Sequence, residues 1–121
     1  MSLKPKLKPL YWMGSAKSDL MALPASVIDT FGFGLYLAQC GGRHPQAKAM
    51  RGFGSAGMLE IVEDWRGNTY RAVYTVEVGE AVYVLHVFQK KAKQGISTPK
   101  PDLDLINDRL KAARRVAGDK R

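Results

Sequence analysis

Tyr70-Arg71-Ala72-Val73-Tyr74-Thr75-Val76 and Val82-Tyr83-Val84-Leu85-His86-Val87-Phe88-Gln89-Lys90-Lys91-Ala92-Lys93 are two runs rich in β-branched and aromatic residues. They flank Glu77-Val78-Gly79-Glu80 and so read as the strands of a hairpin. One strand carries a single arginine amid apolar neighbours. The other delivers Phe88 and then three lysines within four positions, Lys90, Lys91 and Lys93. Such a hairpin holds cations on a rigid sheet beside aromatic rings, which suits a phosphodiester backbone with exposed bases.

Upstream, Met58–Asp64 reads as another strand, joined to the hairpin by a tight turn at Arg66-Gly67-Asn68. Residues 43–57 form a polar, glycine-rich loop with Arg43, His44, Lys48 and Arg51, and loops of this length in compact domains often carry function. Before it, Val27, Ile28, Phe31, Leu35 and Ala38 recur at helical spacing from Pro24 to Gln39, ending at Gly41-Gly42. Gly32 and Gly34 weaken that helix but permit close packing against a neighbour. A short helix over residues 15–23 precedes it, with Ser15 as N-cap, and Leu10-Tyr11-Trp12 is a short strand. A last helix spans Asp102–Val116, with Leu103, Ile106, Leu110 and Ala113 on one face. The expected class is α+β in the order β-α-α-β-β-β-α. A small antiparallel sheet takes the first strand at its middle or edge, and helices cover one face.

The 121 residues suffice for one domain, 1–121, with a single core. Nineteen Lys and Arg against 11 Asp and Glu leave a net charge of +8. That excess favours a polyanion, an acidic protein or an anionic surface as partner. No apolar run approaches the roughly 20 residues that span a bilayer, so no membrane anchor is expected. The basic N-terminus lacks the apolar stretch and cleavage site of a secretory leader. Cys40 is the sole cysteine, which excludes an intramolecular disulfide and suits a cytoplasmic protein; its apolar setting reads as packing. There is no His-x-x-x-His pair, no Asp-x-Asp and no phosphate-cradling Walker loop, so no metal or cofactor is expected.

In order and spacing, Lys48-Ala49-Met50-Arg51-Gly52-Phe53-Gly54, Tyr70-Arg71-Ala72-Val73-Tyr74, Leu85-His86-Val87-Phe88-Gln89-Lys90-Lys91 and Thr98-Pro99 before an amphipathic helix resemble one known pattern. The chain is similar, from about Leu10 to about Ala113, to the RelE/HigB superfamily of type II toxin–antitoxin toxins, and most to its phage-derived HigB-like branch. The resemblance implies a RelE-like endoribonuclease, an mRNA interferase that cuts mRNA, usually in the ribosomal A site. It also implies a cognate antitoxin, in that branch often a helix-turn-helix protein. Arg71 matches the family's strand arginine that contacts the scissile phosphate. Lys90 and Lys91 stand where the family places catalytic basic residues, and Lys48 and Arg51 match its basic loop positions, which grip RNA.

Metal-independent RNA cleavage must deprotonate a 2′-hydroxyl, stabilise the phosphorane charge and protonate the leaving oxygen. A strand guanidinium serves the second need; Arg71 is equally placed to pair with Glu60 or Glu63. Alternation sends Lys90 and Lys91 to opposite faces, which favours Lys90 because it shares parity with Phe88. Phe88 is a candidate to stack a base as well as to fill the core, and Lys93 extends the basic strip. RelE relatives carry lysines on the strand before the arginine where this chain has Glu60 and Val62, which leaves the general base open between Glu60 and Glu63. His86 reads as a satisfied strand histidine, His44 as an exposed one, and Tyr74 and Tyr83 as core residues with a hydroxyl within reach of Arg71. The same residues also suit a catalytically silent RNA- or ribosome-binding module, or a phage-derived interaction protein whose basic face meets an acidic partner.

Overall fold

The two strands flanking residues 77–80 pair as a hairpin in a five-stranded sheet that carries helices on both sides. The computed structural model describes residues 6–53, 57–90 and 98–118. Along the chain the elements are β1 (Leu10–Trp12), α1 (Ala16–Met21), α2 (Ala25–Gln39), β2 (Ala47–Ala49), β3 (Met58–Trp65), β4 (Asn68–Thr75), β5 (Val82–Lys90) and α3 (Lys100–Gly118). Their order across the sheet is β1-β5-β4-β3-β2. The sheet is therefore mixed and not antiparallel throughout: β1 lies parallel to β5, with Leu10 opposite Val82, and the other pairs are antiparallel.

Each element follows from local chemistry. The β3–β4 turn has two residues, Arg66 at φ 51° and Gly67 at φ 81°, between the paired Trp65 and Asn68. Two positive φ values match the right-handed twist of the flanking strands, and Gly67 takes the second without strain. Pro24 precedes α2 and its carbonyl accepts from the Val27 and Ile28 amides at 3.0 Å, while Gly41 at φ 88° closes the other end. Val27, Phe31, Leu35 and Ala38 are buried, and Gly34 lets α2 approach β3 so closely that an added Cβ would stand 2.3 Å from Ile61 Cδ1. Gly32 faces open space. Ser15 precedes α1 as expected, but its hydroxyl donates to the Asp19 carboxylate at 2.7 Å in place of capping the helix.

The expectation of helices on one face is corrected. Helices α1 and α2 pack with Leu59, Ile61, Ala72, Tyr74, Val82 and Val84 on one face. On the other, Ile106, Leu110 and Ala113 of α3 pack with Met58, Val73, Tyr83 and Leu85. Each fully buried large side chain contributes roughly 1.5–3 kcal/mol, so both layers are substantial. Residues 47–49 add a second correction: part of the expected loop pairs with β3 as β2. A third concerns β5. Tyr74 pairs with Val84 and Val73 with His86, so Leu85 is an extra residue, and its carbonyl accepts from Arg109 Nη1 at 2.9 Å. This bulge resets the alternation, which places Tyr83 and Leu85 on the same face as Phe88 and Lys90. Among the described residues no helix is long and apolar enough to cross a membrane.

Candidate functional site

Strand register gathers the charged residues on the α3 face. Lys48 of β2 stands opposite Glu60 of β3, Arg71 of β4 opposite Phe88 of β5, and Lys90 opposite Thr69. Glu60 itself opposes Val73, one diagonal step from Arg71, within reach of two long side chains. The Arg71 guanidinium Nη1 donates to Glu60 Oε1 at 2.5 Å. The residues are 5% and 7% exposed, so this is a desolvated, charge-assisted bond on the floor of the sheet. Lys90 is 7% exposed. Burial pushes its ammonium pKa down, as do the Arg71 and Lys48 charges, while Glu60 pulls it up.

Above this floor lies a cleft of about 560 Å³. Lys48, Ala49, Met50 and Arg51 form one wall, Glu60 and Arg71 the base, and Thr98 and Leu103 the side towards α3. Lys48 and Arg51 are exposed, so their charges rim the opening. A concave, cationic site with one carboxylate in its floor suits a phosphate flanked by a proton-donating group.

The other expected residues divide cleanly. Of the two acids weighed as partner of Arg71, Glu60 takes that place. Glu63 points to the opposite face, where it accepts from Thr30 at 3.0 Å and from Gln46 at 2.7 Å. Phe88 is half-buried, packs with the α3-side core and stacks on His86 with centroids 4.4 Å apart; it does not line the cleft. His86 Nε2 meets Asp102 Oδ1 of α3 at 2.7 Å, and its Nδ1 has no hydrogen-bond partner among the described residues. His44 is buried and not exposed as expected: its Nδ1 accepts from the Gln46 amide at 3.0 Å and its ring meets Phe33 edge-on. Tyr74 faces α2, away from Arg71, which removes it as a proton-transfer group there. Burial pushes its phenol up to about 12, with Arg43 opposing. Tyr83 is core on the α3 face and stacks with Tyr11. Lys91 and Lys93 lie outside the described residues.

Sequence reasoning did not single out Leu103 or Asp102 for the site. Leu103 carried a signal as the first apolar residue of the amphipathic α3; Asp102 carried none, since only the tertiary fold brings it to His86. Among the described residues no group of three His, Cys, Asp or Glu side chains is placed to hold a metal ion.

The family model for phage-derived Gp49-like protein (DUF891) matches residues 18–111, from α1 into α3 and across every strand that contributes to the cleft. The chain belongs to that family, which is of the RelE/HigB-like toxin type. The curated proteins contain no match to it.

Proposed function

We propose that this Gp49-like protein is the toxin of a type II toxin–antitoxin system and acts in the cytoplasm as a metal-independent endoribonuclease on mRNA, in the ribosome. The single observation that carries the reading is the buried Arg71–Glu60 pair at the base of a cleft rimmed by Lys48 and Arg51. Arg71 binds a non-bridging oxygen of the scissile phosphate and holds the charge that grows on it in the transition state. Glu60, released from the guanidinium, takes the 2′-hydroxyl proton. The 2′-oxygen attacks phosphorus, the bond to the 5′-oxygen breaks, and the products are a 2′,3′-cyclic phosphate and a 5′-hydroxyl. Lys90, one diagonal step from Arg71 on the same face of the sheet though outside the lining of the cleft, suits the proton transfer to the departing oxygen, and burial makes its ammonium a readier donor. Lys48 and Arg51 draw in the flanking backbone, the charges of Lys91 and Lys93 add to that attraction, and Phe88, opposite Arg71 on the neighbouring strand, braces the floor of the sheet. The partner that silences it is an antitoxin of helix-turn-helix type.

The test is to induce the chain in cells and map new mRNA 5′ ends, then to repeat it with Arg71→Met combined with Glu60→Leu. Wild type should yield 5′-hydroxyl ends matched by cyclic phosphates, and the double variant none. Growth arrest without new ends would replace the nuclease reading with that of a silent RNA or ribosome binder.

A further inference from the structure

We infer that Glu60 makes the cleft select ribose over deoxyribose in binding, before any bond is cut. The inference rests on the phosphate-binding reading above and concerns a different property of the same site. The Arg71 and Glu60 side chains are 6% and 9% exposed and share one bond of 2.5 Å. A carboxylate so far from water depends on donors supplied by the protein or the ligand. A phosphate that claims the guanidinium fork takes away the donor that Glu60 holds. Lys48, opposite Glu60 across β2 and β3, is exposed and keeps its own hydration, and Lys90 acts on Glu60 through its charge, so the two lysines soften the loss without replacing the bond.

A ribonucleotide brings the replacement with it. Its 2′-hydroxyl is a donor on the carbon next to the 3′-phosphate, so a phosphate seated on Arg71 carries that hydroxyl to the carboxylate beside it. A deoxynucleotide brings the phosphate alone and leaves Glu60 desolvated without its donor. Sites built to bond a hydroxyl reject the analogue that lacks it far more strongly than apolar pockets reject a missing methylene. In this view the carboxylate charges an entry cost that only a ribose offsets. Three cations without it would accept any phosphate.

The experiment is calorimetric titration with adenosine 3′-monophosphate, its 2′-deoxy form and its 2′-O-methyl form, none of which contains a bond the protein can cut. Wild type should bind the ribose form at least about tenfold tighter than the deoxy form. The 2′-O-methyl form should do no better than the deoxy form, since its oxygen accepts but cannot donate. Glu60→Gln should bring the ribose and deoxyribose forms within about threefold, chiefly by tightening the deoxy form. Equal binding of the three ligands by wild type, no binding of any of them, or an unchanged ratio in Glu60→Gln overturns the inference. The wild-type arm decides the matter even if Glu60→Gln does not fold. Wild type that cuts mRNA yet fails to discriminate removes this inference and keeps the endoribonuclease; wild type that discriminates yet cuts nothing does the reverse.

Discussion

Replacing Arg71 with methionine removes a guanidinium but leaves behind the carboxylate it neutralises. Both side chains are under one-tenth exposed. Deleting one member of such a pair costs roughly 3–5 kcal/mol, because the survivor stays buried and charged. Lys48 and Lys90 share the field of the cluster, which puts the expected loss near the lower end, about 3 kcal/mol. Domains of this size have about 5–15 kcal/mol to lose, so the variant folds but is plainly weakened. In urea, with a slope of about 2 kcal/mol/M, the midpoint should fall by about 1.5 M. Adding Glu60→Leu removes the stranded charge and should return at least about 2 kcal/mol. Neither variant should cut RNA, and the stabilised double variant assigns that loss to chemistry and not to unfolding. A single variant that loses under about 1 kcal/mol, or a double variant no more stable than the single, would refute the idea that Glu60 is desolvated.

Gly34→Ala should lower stability by about 1–3 kcal/mol in thermal unfolding, because its Cβ meets Ile61, whereas Gly32→Ala, facing open space, should raise it by up to about 1 kcal/mol; the opposite ranking would contradict the α2–β3 contact. Lys48→Ala should weaken RNA binding and reduce the salt slope by about 1, while Lys90→Ala should slow cleavage with little change in that slope, as measured from 50 to 200 mM salt. Tyr74 should ionise near 12, above the ordinary tyrosine value of 10.0, when phenolate absorbance is followed against pH, and Tyr74→Phe should delete that step. The folded pKa is raised, so the stability associated with neutral Tyr74 is complete below pH 10.0 and is lost as pH climbs towards about 12. Lys90 works in the opposite sense, since its folded pKa lies below 10.5 and the unfolded chain binds the extra proton just under that value; Lys90→Met should flatten the rise in urea midpoint there. Asp102→Ala should cost about 1.5–3 kcal/mol and speed amide exchange in the first turns of α3, because His86 loses its partner.

Much of this geometry is legible in the chain. The β-branched and aromatic runs that make β4 and β5, the strand pattern of β3, the Arg66-Gly67 turn and the spacing in α2 and α3 are local signals, and all reappear in the structure. Arg71 stands out as a cation amid apolar strand neighbours, and Glu60 is one of the two acids with which it is placed to pair. What escaped was tertiary. The unbroken apolar run from Ala81 to Leu85 is the mark of a strand covered on both faces, yet it does not say which helix covers which side. Ala47-Lys48-Ala49 has no strand propensity of its own and is a strand because β3 offers it an edge. The bulge at Leu85, whose carbonyl accepts from Arg109 24 positions away, shifts parity by one residue, which no period-two reading anticipates.

The mixed sheet also bears on solubility. Its three long strands lie between β1 and β2, edge strands of three residues each, and such short edges are poor templates for another chain. On β2 the middle residue is Lys48, and an ammonium there discourages end-to-end pairing of sheets between molecules. On the proposed function, the lysine that would meet an incoming nucleic acid also guards the margin of the sheet against pairing with another molecule. Lys48→Val would disturb both at once: it would weaken RNA capture and convert β2 into an adhesive border, visible as concentration-dependent light scattering from a protein whose fold is otherwise unchanged.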